Sequence, residues 1–314
     1  MRPSPKKFVV PIVGLLVLAL VAGALALAIS LVRHGTTTST AQTEATNAPD
    51  AYHGRASWID VWDSRAWNDP AAAVKDMSDH GVRTIFIQTG NARSAQGIAN
   101  PSALREFITE AHAHHMFVVA WYLPNLKSGS DDYDRVIRAI EFETSDGQRF
   151  DSFALDIEST AVKSISTRNV GLVALSKRLR DKVGTDYPLG AIIPSPVGIE
   201  KETGFWDVFP YAEVAESYDV LLPMAYYTFD ANTPTKARTY ALESMRILRA
   251  QPGCAKVPVH LIGGIASRST GAEIREFAKA AAETGCIGVS IYDWAGMNDK
   301  RWRGLRTGWP ASSK

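Results

Sequence analysis

The sequence predicts a (β/α)8 (TIM) barrel, an α/β fold, preceded by an N-terminal transmembrane helix and a flexible linker. Three observations support this prediction: a long apolar run near the N terminus, a polar stretch after it, and eight β-branched or aromatic runs that alternate with helical patterns. Alternating strands and helices form parallel sheets, and about 260 residues with eight such units have the size of a barrel. A doubly wound open sheet is the alternative, although no glycine-rich dinucleotide turn follows the first strand.

Residues 1–34 are predicted to form a basic N terminus and a transmembrane anchor. Phe8–Val32 contains a single clearly polar side chain, and a helix of this length at about 1.5 Å per residue crosses a hydrocarbon core of about 30 Å. Lys6 and Lys7 precede the run, which favours a single-pass protein of the cell membrane with a cytoplasmic N terminus and an extracytoplasmic barrel. A cleaved and secreted form, cut near Ser39–Ala41, is the alternative.

The charge of the chain is unevenly distributed. The sequence has 34 basic and 33 acidic side chains, and four of the basic ones lie in residues 1–34, so the remainder carries a net charge of −3. This mildly acidic body argues against nucleic acid as a partner, because phosphate binding requires a basic face.

Residues 35–52 are rich in Thr and Ala without apolar periodicity and are predicted to be a flexible linker. The barrel is therefore expected to occupy residues 53–314.

Strands and helices are predicted to alternate along the barrel. Runs of high β propensity predict strands at Ala56–Trp62, Thr84–Gln88, Phe117–Tyr122, Ser152–Ile157, Leu189–Ile193, Val220–Tyr226, Val257–Ile262 and Ile287–Tyr292. Helical patterns predict helices at Pro70–His80, Pro101–His114, Asp132–Glu143, Arg168–Val183, Trp206–Glu216, Thr235–Leu248 and Gly271–Thr284. Asn68–Pro70 offers a cap and a first-turn proline, and Gly81 and Gly184 stand where left-handed helix ends are favoured. Functional groups of such a barrel lie at the carboxyl ends of its strands.

The fourth predicted strand places two acidic side chains inside the barrel. Phe150–Glu158 alternates with a period of two, so the apolar residues from Phe153 to Ile157 form an outer face. Asp156 and Glu158 fall on the other face, about 6–7 Å apart along the strand. Like charges at this distance raise one pKa, which favours a general acid that keeps its proton near neutral pH. The alternative is structural, with Glu158 capping a loop and Asp156 bound to neighbouring backbone.

This strand resembles a known signature. Asp151, Asp156 and Glu158 match three positions of the D-x-x-D-x-D-x-E motif of glycoside hydrolase family 18, the chitinase family, and Ala154 replaces the remaining Asp. The resemblance implies a glycosidase in which Glu158 is the general acid. It also implies that Asp156 orients and stabilises the N-acetyl group of the substrate, which attacks the anomeric carbon in place of an enzyme nucleophile.

Two further segments are similar to family 18. Met224–Tyr227 resembles the M-x-Y-D of the sixth strand, with Tyr227 in place of the Asp, and implies that Tyr226 donates a hydrogen bond to the developing charge. Gly288–Tyr292 resembles the G-x-M-x-W of the eighth strand, with Tyr292 where the Trp is expected. The S-x-G-G motif of the third strand is absent.

A second resemblance implies the same class of reaction. Ile59–Val61, together with Leu155–Glu158, is similar to family 25 lysozymes, which pair an Asp of the first strand with a D-x-E on the fourth. It implies a catalytic role for Asp60, which shares a strand face with Trp58 and Trp62. A buried Asp satisfied by a neighbouring strand is the alternative for Asp60. Both resemblances imply a GlcNAc-containing polysaccharide, either peptidoglycan or a chitin-like glycan, as the substrate.

Side chains near the predicted strand ends are candidates for substrate binding. Aromatic faces suit the apolar faces of pyranose rings, although aromatic residues also fill barrels and interfaces. The amides of Gln88 and Asn125 can bond to sugar hydroxyls, although solvation at the surface is the simpler explanation for each. The candidates are Trp58, Trp62, Gln88, Trp121, Tyr122, Asn125, Met224, Tyr227, Tyr292 and Trp294.

The other polar motifs favour neither a metal nor a cofactor. His112, His114 and His115 fall at the end of a helix before the third strand, where interaction with the helix C terminus explains them better than a metal does. Gly263–Gly264 resembles a phosphate loop, but no second Gly pair follows the eighth strand. We therefore expect no metal and no cofactor.

The two cysteines of the chain are predicted to form a disulfide. Cys254 precedes the seventh strand and Cys286 begins the eighth, so adjacent parallel strands place both at the same rim of the barrel. An oxidising compartment favours their pairing, and two small buried residues are the alternative.

These observations together predict a membrane-anchored extracytoplasmic glycoside hydrolase. The alternative is a non-catalytic carbohydrate-binding barrel of the cell envelope, which Ala154 and the absent third-strand motif favour.

Overall fold

The structure of the chain is a computed structural model that describes residues 49–202, 204–230 and 233–309. By its internal contacts the chain divides into two units, Met1–Ala45 and Thr46–Lys314. The predicted transmembrane helix lies outside the described residues. Within the described ranges, no helix combines the length and the apolar character needed to cross a membrane.

Eight parallel strands form a nearly closed barrel, which confirms the predicted barrel. They are β1 (Gly54–Ile59), β2 (Thr84–Asn91), β3 (Phe117–Leu123), β4 (Ser152–Asp156), β5 (Leu189–Ile193), β6 (Val220–Pro223), β7 (His260–Ile265) and β8 (Gly288–Tyr292). Their order in the sheet is β6-β5-β4-β3-β2-β1-β8-β7. Isolated parallel bridges, Leu221 to Val259 and Met224 to Ile262, span the remaining seam between β6 and β7. The carboxyl ends of all eight strands therefore converge at one rim.

Helices connect the strands on the outside of the barrel. Within the described residues they are α1 (Ser64–Asn68), α2 (Pro70–Asp79), α3 (Pro101–Ala113), α4 (Asp132–Ile140), α5 (Ile165–Val183), α6 (Pro196–Lys201), α7 (Tyr211–Ser217), α8 (Pro234–Ala250), α9 (Gly271–Glu283) and α10 (Asp299–Gly308). Each predicted helix overlaps one of these, whereas α1, α6 and α10 were not predicted. The predicted capping is present at α2, where the Asp69 side chain accepts a hydrogen bond from the Ala72 amide and Gly81 follows with a φ of +73°.

Several strands end earlier or later than predicted. The strand predicted to reach Tyr226 stops at Pro223, because the Ala225 amide turns back to bond the Pro223 carbonyl at 2.9 Å. β1 likewise ends at Ile59, so that Asp60 and Trp62 lie in the loop beyond it. β7 begins three residues later than predicted and runs on to Ile265. The loops that follow these strands therefore carry residues that the sequence placed on the strands themselves.

Alternate residues of each strand pack into two separate cores. Phe153 and Leu155 of β4, with the following Ile157, are fully buried between the sheet and the helices, which confirms the predicted outer face. Ala154 packs inside the barrel with large aromatic side chains such as Trp58. This separation follows from the alternation of side chains across a strand. The interior is thereby filled below the carboxyl-end rim.

The amino end of the barrel is closed by residues that were assigned to the linker. Asp50–Tyr52 forms one turn of 3-10 helix, and the Tyr52 side chain is fully buried inside the barrel. Its hydroxyl lies 2.6 Å from Ser152 Oγ and donates to the Phe153 carbonyl at 3.1 Å. The Tyr52 carbonyl accepts a hydrogen bond from His260 Nδ1 at 2.8 Å, and burial lowers the pKa of His260 to about 4. Residues 50–52 are therefore part of the barrel.

The predicted disulfide is wrong, because both cysteines are free and buried. Cys286 Sγ lies 3.6 Å from Met245 Sδ, whereas Cys254 Sγ lies 4.0 Å from the Tyr211 carbonyl. The two thiols thus pack against different parts of the helical layer, although their strands are adjacent. Burial raises the pKa of each thiol to about 11.

We expect Tyr52→Phe to lower the free energy of unfolding by about 1 kcal/mol, because it removes a buried hydroxyl that is hydrogen-bonded to Ser152 and to the Phe153 carbonyl. Tyr187→Phe is the matched control, since the buried Tyr187 hydroxyl has no hydrogen-bond partner to lose. Urea denaturation of a chain beginning at residue 46 measures both changes. Equal effects of the two substitutions would show that the Tyr52 hydrogen bonds do not stabilise the barrel.

We expect a thiol reagent at pH 8 to react slowly with the native chain and to label two thiols per chain after unfolding without reductant. The physical reason is that burial both shields each sulfur and disfavours its thiolate. Mass spectrometry with and without prior reduction provides the count. Labelling that appears only after reduction would show that the two cysteines form a disulfide.

Candidate active site

The carboxyl ends of the strands surround a cavity of about 340 Å³. This volume lies at the lower end of the range for ligand pockets, about 300–1,000 Å³. The cavity is lined by Trp58, Trp62, Gln88, Asn91, Arg93, Trp121, Leu123, Asp156, Glu158, Ile192, Met224, Tyr226, Ile262 and Tyr292. The structure therefore brings together nine of the residues that the sequence predicted for the site.

Two acidic side chains at the carboxyl end of β4 line this cavity. Asp156 is the last residue of β4 and is 6% exposed, and its Oδ1 atom has no hydrogen-bond partner. Burial raises the pKa of Asp156 well above its usual value, and the negative charge of Glu158 raises it further. The Glu158 side chain is accessible from the cavity, yet the protein around its carboxyl still raises its pKa by desolvation. The pair is thus arranged to hold a proton at a pH where exposed carboxyls are ionised.

The replacement of an acidic residue by Ala154 affects this pair directly. Ala154 lies two residues before Asp156 on the same face of β4 and is fully buried in the barrel interior. Asp156 therefore has an apolar neighbour below it and the Glu158 carboxyl above it. Asp151, the first residue of the motif, lies at the other end of β4 and accepts a hydrogen bond from the Val118 amide at 2.7 Å.

The Tyr226 ring faces the two carboxyls from the loop after β6. Burial raises the pKa of the Tyr226 phenol, and the negative charges of Asp156 and Glu158 raise it further. A phenol with a raised pKa stays protonated at neutral pH, so its O–H can donate a hydrogen bond to a charged or carbonyl oxygen. The arrangement therefore provides a fixed donor beside the acidic pair.

Asp60 lies at the rim and supports the cavity wall. Its Oδ2 accepts a hydrogen bond from the Tyr292 hydroxyl at 2.8 Å, and its Oδ1 accepts one from the Trp62 amide at 2.6 Å. Both carboxylate oxygens therefore accept hydrogen bonds from the protein. This agrees with the alternative explanation of Asp60 as a residue whose carboxylate is satisfied by a neighbouring strand. Asp60 orients Tyr292, which lines the cavity, and is not itself among the lining residues.

Aromatic rings form the floor and one rim of the cavity. Trp58 stacks on Phe86 with ring centroids 4.2 Å apart, and its Nε1 donates to Ser290 Oγ at 2.8 Å. Trp121 meets Trp58 edge-on, and its buried Nε1 has no partner. Trp62 is 80% exposed at the rim, an unusual position for a large apolar side chain. These rings present both an apolar platform and one unpaired donor to a ligand.

Four of the predicted substrate-binding residues lie outside the cavity. Tyr122 and Tyr227 each follow an inward-facing residue, and they therefore point outward, with hydroxyls donating to Asp132 and Ser269. Trp294 donates its Nε1 proton to Asp76 on α2, and Asn125 accepts a hydrogen bond from the Lys127 amide. All four residues lie near a strand end, as predicted from the sequence. Their side chains do not line the cavity, because nearness to a strand end does not fix the direction of a side chain.

Five residues that line the cavity are not among those predicted from the sequence. Asn91 and Arg93 were missed because β2 continues beyond Gln88, with an irregularity in its pairing between Gln88 and Gly90. Ile192 and Ile262 occupy the inward positions of β5 and β7, which alternation along those strands could have identified. Leu123 ends β3, two residues after the inward-facing Trp121.

The other candidate sites lack a buried group of reactive side chains. A larger groove of about 980 Å³ lies on the outer surface beside α5 and α7, but its acidic residues Glu200, Asp207 and Glu213 are exposed to solvent. His112 bonds to Gln148 and Asp151 at the amino end of the barrel. Among the described residues, no group of three potential ligands could hold a metal ion. The cavity around Asp156 and Glu158 is therefore the candidate active site.

Solved structures of glycosidases have a similar fold. The Bacillus cereus spore cortex-lytic enzyme SleL has a TM-score of 0.60 at 9% identity, covering 82% of this chain and 74% of that one. A chitinase from Chromobacterium violaceum has a TM-score of 0.58 at 12% identity, covering 82% of this chain and 98% of that one. A glycoside hydrolase family 18 N-acetylglucosaminidase from Paenibacillus barengoltzii has a TM-score of 0.51 at 10% identity, covering 81% and 98%.

No protein-family model and no curated protein matches the chain. At the low identities of the solved structures, their likeness to this chain concerns the fold. It confirms the barrel and the predicted resemblance to family 18 at that level.

We expect Asp156→Asn to become progressively more stable relative to the wild type as the pH rises from 5 to 8. The raised pKa means that folded Asp156 binds a proton that the unfolded chain, with a pKa near 4, has released, so wild-type stability falls with pH across this window. Denaturation by urea at each pH measures the difference in unfolding free energy. Asp186→Asn, which removes an exposed carboxyl, is the control for the loss of one acidic side chain, and a flat difference for Asp156→Asn would contradict its raised pKa.

Proposed function

We propose that this chain is a glycosidase that hydrolyses a GlcNAc-containing polysaccharide, peptidoglycan or a chitin-like glycan, with Glu158 as the general acid and base. The observation that carries the proposal is the acidic pair at the end of β4, where Asp156 and Glu158 both have raised pKa values inside an aromatic-lined cavity. The likeness in fold to chitinases and to a family 18 N-acetylglucosaminidase supports it.

In this mechanism Glu158 donates its proton to the glycosidic oxygen as the bond to the anomeric carbon breaks. The raised pKa keeps that proton on Glu158 until it is needed, and positioned proton transfer contributes about 10²–10⁴-fold to the rate. The resulting carboxylate then removes a proton from the water that completes hydrolysis, which regenerates the acid.

Asp156 and Tyr226 act on the N-acetyl group of the substrate. The carbonyl oxygen of that group attacks the anomeric carbon, and its nitrogen develops positive charge that the Asp156 carboxyl orients and stabilises. The phenol of Tyr226 faces the same pair and donates a hydrogen bond to the reacting group. The unsatisfied Oδ1 of Asp156 supports this role, because a buried acceptor without a partner is available to a ligand.

The aromatic walls position the sugar chain. Trp58 and Trp121 line the interior of the cavity, and the exposed Trp62 extends the aromatic lining to the rim. Residues 8–32 would hold the barrel at the outer face of the membrane through the linker, which places it near cell-wall polymers. This anchoring rests on the sequence alone.

We expect Glu158→Gln to lower the turnover of GlcNAc-containing glycans by at least about 100-fold, because the amide cannot donate the catalytic proton. The substrates are purified peptidoglycan and chitin oligomers, and mass spectrometry detects new reducing ends. Glu216→Gln removes an exposed carboxyl on α7 and should retain wild-type activity.

Products from the wild type and the control, but not from Glu158→Gln, support the proposal and identify the substrate. Equal activity in all three proteins would exclude Glu158 as the general acid. Glycan binding without products from any folded variant would favour the non-catalytic carbohydrate-binding barrel, for which Ala154 is the supporting observation.

A further inference from the structure

One cationic side chain, Arg93, lines the cavity that holds the acidic pair. It lies just beyond β2, and among the described lining residues it is the only one with a positive charge. Arg93 is exposed, and no ion pair within the described part of the chain involves it. A cation that faces a ligand cavity without a protein partner is available to an anionic ligand.

The loop that carries Arg93 is held in place by neighbouring side chains. The Asn91 side chain accepts a hydrogen bond from the Arg93 amide at 2.9 Å. Arg135 of α4 donates to the carbonyls of Asn91 and Gln96 at 3.3 and 2.9 Å, and its Nε bonds to Asp131 at 2.7 Å. One arginine of this region is therefore used to fix the loop, and the other remains free to face the cavity.

Arg93 does not serve to neutralise the acidic pair. The raised pKa of Asp156 has burial and the charge of Glu158 as its causes, and that of Glu158 has burial. A guanidinium close to either carboxyl would lower these pKa values instead. Because β3 lies between β2 and β4, the loop of Arg93 is separated from the strand of Glu158 by two strand spacings, or about 10 Å. A glycan bound for cleavage at Glu158 would therefore reach Arg93 with a neighbouring sugar.

We propose that Arg93 binds a carboxylate substituent on the sugar adjacent to the cleaved bond, so that the preferred substrate is an anionic GlcNAc-containing glycan. This inference rests on the proposed function and extends it by naming the charge of the substrate. Peptidoglycan carries a carboxylate on the lactyl ether of its second sugar where no stem peptide is attached, and on the stem peptide where one is attached, whereas chitin is neutral. Guanidinium and carboxylate form charge-assisted, bidentate hydrogen bonds, which makes arginine suited to this contact.

The experiment compares matched substrates on the full-length chain. Glycan strands with and without stem peptides are used as purified and after their carboxylates have been converted to neutral amides. The measured quantity is the ratio of kcat/KM on each anionic glycan to that on its amidated form, for the wild type, Arg93→Gln, Arg93→Lys and Arg303→Gln. Arg303 is an exposed arginine of α10 outside the cavity, so its substitution controls for the loss of one charge.

We expect the wild type to prefer the anionic glycans and Arg93→Gln to lower the ratio about 3- to 10-fold, the effect of one partly solvated charge pair. Arg93→Lys should retain part of the preference, Arg303→Gln should retain all of it, and raised salt should weaken it. A preference confined to strands with or without stem peptides identifies which carboxylate is bound.

A ratio that is the same in the wild type and Arg93→Gln would overturn the inference. If no glycan is turned over by the wild type, the proposed function fails, and the same ratio is then taken from dissociation constants measured by calorimetry. A carboxylate preference in binding that Arg93→Gln reduces would uphold the inference without catalysis, and its absence would overturn it.

Discussion

The burial of the Asp156 carboxyl beside the carboxyl of Glu158 is the interaction on which the site depends. Asp156 ends β4 inside the barrel, and Glu158 follows on the same face, so that burial and mutual repulsion raise the pKa of Asp156 while burial raises that of Glu158. A buried acid destabilises a fold unless it is paired or neutral, so the raised pKa of Asp156 marks the place where the barrel departs from an apolar interior. The Tyr226 phenol and the unpaired Oδ1 of Asp156 lie at this place, and both are able to bind a polar group on a ligand.

The rest of the barrel makes that burial possible. Trp58 and Phe86 stack beneath the cavity, and Tyr52 fills the amino end, so the interior below the acidic pair is packed with rings. This packing gives the cavity a rigid floor and confines it to the carboxyl rim. At the rim, the carboxylate of Asp60 holds the Tyr292 hydroxyl, and Arg135 holds the loop of Arg93. Polar side chains outside the cavity thus position those that face it.

The sequence alone determined the elements whose cause is local. Alternating apolar runs and helix caps predict the eight strands and most of the helices, because side-chain periodicity and capping depend on a few neighbouring residues. The acidic pair on β4 could be identified for the same reason, since residues two apart on a strand share a face. The outward direction of Tyr122, one residue after Trp121, follows from this rule, although nearness to the strand end had suggested a binding role.

Only the tertiary structure decided which distant residues meet. Asp60 with Tyr292 and Cys286 with Met245 are contacts between parts of the chain far apart in sequence, and their geometry depends on strand register and helix packing. The continuation of β2 past Gln88, which brings Arg93 to the cavity, depends on pairing with β3 across an irregular register. Local patterns therefore specify the barrel and the strand that carries Asp156. The packing of the eight strands against one another specifies which side chains surround Asp156, because contacts between distant strands form only when the sheet closes.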